Sequence, residues 1–244
     1  MILYGRNAVH EALRGRRAAR VTGVWATTAA AREPWLQDAR PRVASAEELE
    51  VRCGSSAHQG VCADAGPYEY VSVDRLLQAR EPLIVVLDQI QDPQNLGSIC
   101  RTAECAGADG VVIPERRAAE VTPAVCKASA GAVEHLSIAR VRNIADFLAD
   151  ARRSGCWCYG ASAADPALTR RPVAYDTPDY AGAGVALVLG SEGSGLRPRV
   201  AKACDELIAL PLLGRIESLG VSAAAAALLY EILQSRSAGV DKSP

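Results

Sequence analysis

The chain has 244 residues, 49% of them hydrophobic and 23% charged, which is apolar material for one large or two small packed cores and too little for three. Its 27 basic and 28 acidic residues leave a formal net charge of -1, so no global positive field exists to hold a polyanion, and binding one requires a local patch. No apolar run reaches the roughly 18 residues needed to span a bilayer, and Met1 to Arg20 is Arg-rich without an apolar signal core, so a cytoplasmic protein is expected.

The first 80 residues alternate helix and strand signals. Asn7 is placed to cap a helix through Arg14, VTGVWAT from Val21 is β-rich, and Ser45 with Glu48 forms a capping box before a short helix. QGVCAD from Gln59 then predicts a strand, and Ser72 a cap for a helix to about Arg80. Met1 to Arg20 holds five Arg and one Glu, so Arg6, Arg14, Arg16 and Arg17 are candidates for a basic patch, with a solvated helix face as the alternative.

At Glu81-Pro82 the pattern changes. LIVVLD from Leu83 is a continuous apolar run, as expected of a strand covered on both faces, and GVVI, LSIARV, CWCYGAS, VALVL and ELIALP follow at intervals. Helices fit between most of them: Asn95 to Ala106, one capped by Thr122 with Pro123 at its first position, one starting at Asn143, and an Ala-rich one from Leu219 to about Ser235. Alternating strands and helices predict an α/β fold with a mostly parallel sheet of about six strands.

Eight cysteines stand mostly among Ala, Val and Ile, which suits buried thiols in a reducing compartment. With three His and no C-x-x-C pair, no metal site is expected.

Ligands of parallel sheets bind beyond the carboxyl ends of the strands, and three loops there depart from plain packing. In DQIQDPQNLGSICR, Asn95 can cap the helix, and Gly97 costs helix stability by up to about 1 kcal/mol unless something approaches closely. Arg101 lies about 120° round the helix from Asn95, at 100° per residue, so only its long side chain reaches back. LVLGSEGSGL is Gly-rich but has the wrong glycine order for a dinucleotide fingerprint, and Glu192 in its middle suits a hydroxyl or a cation better than a phosphate. In LPLLGRIESLGVSAAAAALLYE, Ser218 is placed to cap the final helix.

These three segments, in this order, resemble the motifs of the SpoU/TrmH class of SPOUT RNA ribose 2'-O-methyltransferases. YGRNAVHEAL near the start and HQGV at His58 to Val61 are similar to the substrate-binding domain of the subgroup that modifies a guanosine of large-subunit (23S) ribosomal RNA. The resemblance implies an L30e-like RNA-binding domain over 1–75, a linker over 76–82, a methyltransferase domain with a deep trefoil knot over 83–236, and a polar tail over 237–244. It implies a homodimer that binds S-adenosylmethionine at Leu189, Gly190, Leu210 and Leu219, without a metal, and acts on ribosomal RNA through Asn95, Arg101, Glu192 and Ser218. One departure stands out: the class has Asn two residues after the third-motif Ser, where this chain has Gly220.

The alternatives are the same chemistry on transfer RNA, a non-catalytic RNA-binding relative, and a Rossmann-type nucleotide enzyme, which the glycine order disfavours. Split at residue 80, the charge reads eleven basic against nine acidic residues before the boundary and sixteen against nineteen after it. The basic excess therefore sits at the start of the chain.

Overall fold

Two sheets follow one another along the chain in the computed structural model, which describes residues 1–162, 170–216 and 218–240. Of the polar tail expected from residue 237, residues 241–244 lie outside the described residues. The first sheet is built from β1 (Ile2–Tyr4), α1 (Arg6–Ala12), β2 (Gly23–Ala26), α2 (Pro34–Gln37), β3 (Arg42–Val43), α3 (Ala46–Cys53) and β4 (Val61–Asp64), with strand order β1-β4-β2-β3. β4 runs antiparallel to both β1 and β2, and β3 runs parallel to β2 at the edge. Leu3, Val24, Leu36, Leu49 and Val61 fill its core.

Local chemistry explains some of the element ends. The Ser45–Glu48 capping box is formed at both of its bonds. Asn7, by contrast, lies inside α1 and does not cap it. The preceding residue is Gly5 at φ 92°, and the Arg6 N–H is satisfied by Gln59 Oε1 at 3.0 Å. The HQGV loop thus closes the first helix from 53 residues away. Ser72 precedes α4 (Val73–Leu77), but its side chain makes no capping bond.

The second sheet contains β5 (Leu83–Asp88), α5 (Pro93–Cys105), β6 (Gly110–Pro114), α6 (Pro123–Ala128), β7 (Ser137–Val141), α7 (Ile144–Arg153), β8 (Cys156–Ala161), β9 (Val173–Ala174), β10 (Gly184–Gly190), α8 (Pro198–Ala203), β11 (Glu206–Ala209) and α9 (Val221–Val240). Its order is β7-β6-β5-β10-β8-β11-β9, and every pairing is parallel. The seventh strand, β9, has only two residues and no periodicity of its own, which is why the sequence pattern misses it. Along β5, Leu83, Val85 and Leu87 enter one core while Ile84 and Val86 enter the other, so both faces are covered.

The two sheets meet through α1 and the turn after it. Arg17 is only 4% exposed and Glu134 1%; Arg17 Nε donates to Glu134 Oε2 at 2.9 Å, and its ring-side neighbour is Tyr68, 5.2 Å away. This corrects the placement of Arg17 in an exposed basic patch, because its charge is consumed inside the protein. Arg16 donates to Leu136 O and Ser137 Oγ, and Arg6 pairs with Glu33 at 3.2 Å. No described helix is long and apolar enough to cross a membrane.

Candidate active site

The site is organised by Asp88, the last residue of β5, whose carboxylate is fully buried. Its Oδ2 accepts from the Arg197 backbone N–H at 3.0 Å and its Oδ1 from Arg197 Nε at 2.8 Å. Burying a carboxylate is costly unless its oxygens are hydrogen-bonded, and both oxygens of Asp88 are. The bond ties the end of β5 to the far end of the Gly-rich loop after β10.

α5 begins two residues earlier than the sequence suggests. Asp92 caps it by accepting from Gln94 N at 3.0 Å, Pro93 takes the first position, and Asn95 falls inside the first turn rather than at the cap. Asn95 therefore keeps its amide for other partners. Gly97 does answer to a close approach, but the approaching group is the protein itself: a Cβ there would stand 2.4 Å from Ala128 Cβ of α6. Arg101 is exposed on the outer part of α5.

Residues 191–195 fold back into a tight loop bridged between Ser191 and Gly195. A Cβ on Gly190 would lie 2.2 Å from Gly195 C, so only glycine lets this loop close over the end of β10. Ser191 and Ser194 hydroxyls share a hydrogen bond of 2.6 Å. From the loop, Glu192 reaches across to α9, where its Oε1 accepts from Val221 N at 3.4 Å. The expectation that Ser218 caps α9 is not met: its Oγ accepts from Gly220 N at 3.2 Å, stabilising the turn before the helix. Gly220 takes φ 80°, and Glu192 Oε1 is the nearest group to its missing side chain, at 3.8 Å.

Between these loops lies a cleft of about 320 Å³, lined by Gln89, Gln91, Asp92, Asn95, Ser191, Glu192, Ser194 and Val221. Two of the expected polar residues, Asn95 and Glu192, thus face one space. Arg101 and Ser218 do not line it. Leu189 is buried at the end of β10, Leu210 is half-buried after β11, and Leu219 is 53% exposed. Sequence reasoning passed over Asp88 and Gln89. Only the backbone shows that Gln89 holds φ 64°, a left-handed value that non-glycine residues seldom take. A larger groove lies over the first sheet beside Trp25, but the Arg52 guanidinium already stacks 3.9 Å from that ring.

The family model described as the SpoU rRNA methylase family matches residues 82–230. A second, described as RNA 2'-O ribose methyltransferase substrate binding, matches residues 2–71. A putative TrmH-family tRNA/rRNA methyltransferase of Bacillus subtilis is 44% identical over 184 residues, spanning 73% of this chain and 71% of that protein. An uncharacterized tRNA/rRNA methyltransferase of Synechocystis is 37% identical over 249 residues, 96% of this chain and 62% of the relative. Among solved structures, a putative TrmH-family RNA methyltransferase from Porphyromonas gingivalis is similar with a TM-score of 0.69 at 27% identity, covering 95% of this chain and 88% of that one. An AdoMet-bound rRNA methyltransferase from Sinorhizobium meliloti shares the fold with a TM-score of 0.75 at 24% identity, covering 96% and 86%.

Proposed function

The chain belongs to the SpoU rRNA methylase family, and from that premise we propose that it transfers the methyl group of S-adenosylmethionine to a ribose 2'-hydroxyl of RNA, with a guanosine of large-subunit ribosomal RNA as the target. The observation that carries this is the cleft in which Asn95, from the first turn of the helix after β5, and Glu192, from the loop after the neighbouring parallel strand β10, face one another across a nucleotide-sized space. Residues 1–75 serve as an L30e-like substrate-binding domain, 76–82 as the linker and 83–236 as the methyltransferase domain, whose segment after β11 threads as the trefoil knot of the class.

The residues present fit the cofactor. Among the described residues, 212–216 make no backbone hydrogen bond, and Leu212, Leu213 and Leu219 expose 41%, 97% and 53% of their surface. Free amides beside apolar side chains are what an adenosine takes up. Leu189, Gly190, Leu210 and Leu219 would hold it, and it supplies a methyl group already activated on a sulfonium, which is why no metal is required. Asn95 orients the ribose. Glu192 has one carboxylate oxygen committed to Val221 and the other free to accept from the hydroxyl.

Arg101 lies outside the cleft of a single protomer, so it acts on the substrate phosphate and developing alkoxide where two protomers meet. Tyr230 and Leu233 on α9, 51% and 36% exposed, together with Leu213 and Ile216, supply an apolar face for that homodimer. Arg101→Ala is expected to lower turnover by about 10²-fold or more with cofactor affinity retained.

The test is calorimetric titration with S-adenosylmethionine followed by mapping of 2'-O-methyl groups in ribosomal and transfer RNA with and without the protein. One ribosomal site is expected. Methylation confined to transfer RNA would move the target, and absence of cofactor binding would overturn the proposal.

A further inference from the structure

The carboxyl edge of the large sheet carries a second feature beside the cleft. β6 and β7 pair in register to their last residues, Pro114 opposite Val141, so the residues that follow them stand side by side. Arg140 donates to Glu115 O at 3.0 Å, and Arg142 Nε lies 3.9 Å from the Glu115 carboxylate with its side chain 93% exposed. Arg140 also pairs with Glu120 at 3.0 Å. Arg116 and Arg117 are exposed and take part in no hydrogen bond or ion pair among the described residues. Four guanidinium groups therefore stand against two carboxylates, and the two unpaired ones are adjacent.

This ledge is joined to the cleft. The Ala119 N–H donates to Ile90 O at 2.8 Å, and Ile90 lies between the cleft residues Gln89 and Gln91. Arg117 is held at φ 57°, so the turn that presents it is a fixed one rather than an extension of the strand. Guanidinium groups with free N–H forks, exposed beside a nucleotide-sized cleft, match the charge and geometry of phosphate oxygens. We propose that Arg116 and Arg117, supported by Arg142, bind backbone phosphates of the RNA strand flanking the nucleotide in the cleft. This contact positions the strand and carries no sequence information. It deepens the RNA-methyltransferase assignment and rests on it. It also places RNA-binding charge on the catalytic domain, whereas the basic excess of the sequence lies in the first 20 residues, where Arg17 is buried.

The experiment uses the full chain and its Arg116→Gln/Arg117→Gln double variant, with unmodified transcribed large-subunit ribosomal RNA as probe. Each phosphate contact on a single strand contributes about 0.7 to the slope of log K against log salt, so the variant should lose about 1.4 from that slope. Its KM for the transcript should rise by about tenfold or more, while S-adenosylmethionine affinity and melting temperature stay at wild-type values. An unchanged slope with an unchanged KM overturns the ledge and leaves the methyltransferase assignment standing. An equal loss of cofactor affinity also overturns it, since the two arginines would then be structural. Wild-type binding whose salt slope depends on these arginines, without methyl transfer to any RNA, supports the ledge and removes the methyltransferase assignment.

Discussion

Asp88 shows how much one buried side chain decides at this site. It accepts from both the backbone and the guanidinium of Arg197, so a single carboxylate fixes the spacing between the end of β5 and the end of the Gly-rich loop. Charge-assisted hydrogen bonds contribute about 1.5–3 kcal/mol each, but Arg197 is 44% exposed and water replaces part of what is lost. Asp88→Ala is therefore expected to cost about 2–3 kcal/mol in urea unfolding and to weaken cofactor binding through the loosened loop. Wild-type cofactor affinity in a folded variant would show that the loop is held by other means. The cysteines make the opposite point, since they matter by being inert. Burial pushes the Cys100 thiol up to about 12, with neighbouring Cys126 adding to it, and pushes Cys62 up to about 11. Cys105 is exposed. Alkylation of the native protein at pH 8, followed by mass spectrometry, should label Cys105 first and reach Cys100 and Cys62 only in denaturant. The composition of their neighbourhoods made that burial legible, whereas the ion pair of Asp88 joins residues 109 positions apart and left no local trace.

Helix α5 illustrates which parts of an element a sequence reveals. Its apolar positions Leu96, Ile99 and Ala103 are buried as their spacing requires. Its start is harder to place, because Asp-Pro reads equally as a turn or as a cap followed by the first helical residue, and either choice puts Asn95 at the start of the helix. The difference matters for chemistry: as a cap, Asn95 would spend its side chain on the backbone, and in the first turn it faces the cleft. Gly97 was legible as a site of close approach but not in its partner, since Ala128 of α6 is distant in sequence. The same limit applies to α9, whose first N–H is met by Glu192 from another loop instead of the nearby Ser218. Gly97→Ala would gain up to about 1 kcal/mol of helix propensity. It would also drive a methyl group to 2.4 Å from Ala128 Cβ and 2.9 Å from Ser129 N, contacts that force α5 and α6 apart. Overpacking of this kind costs about 1–3 kcal/mol, so net destabilisation and a loss of activity through displaced Asn95 are expected. A variant more stable than wild type would mean that the two helices separate freely.

At the scale of the molecule, the two sheets act as one body only if something fastens them. The boundary near residue 80 was visible in the change from short mixed elements to long apolar strands, but nothing in the sequence says that the parts are fastened. The fastening is made by residues that look like surface charges. Arg17 is one of five arginines in the first 20 residues, and only the fold singles it out, bound to a glutamate 117 positions away. Around this pair, the Tyr68 hydroxyl lies 3.2 Å from both Val133 O and Leu136 O and shares its one proton between them, His135 and Glu11 approach to 2.8 Å, and Lys127 Nζ donates to Ala57 O at 2.6 Å. α6, which carries Lys127, also packs on Gly97 of α5, so the path from the first sheet to Asn95 crosses a single helix. A ligand held on the first sheet would then be presented at a set distance from the cleft. Removing one partner of a buried pair costs about 3–5 kcal/mol because the other charge is left uncompensated, while replacing both with apolar groups is often close to neutral. Glu134→Gln should accordingly destabilise by that amount and split the single calorimetric unfolding transition expected of the wild type into two, the first sheet melting on its own. Arg17→Met/Glu134→Leu should recover most of the melting temperature and the single transition. If Glu134→Gln unfolds in one transition at an unchanged temperature, the sheets are joined by the surrounding contacts alone, and the buried pair is not what makes them a single unit.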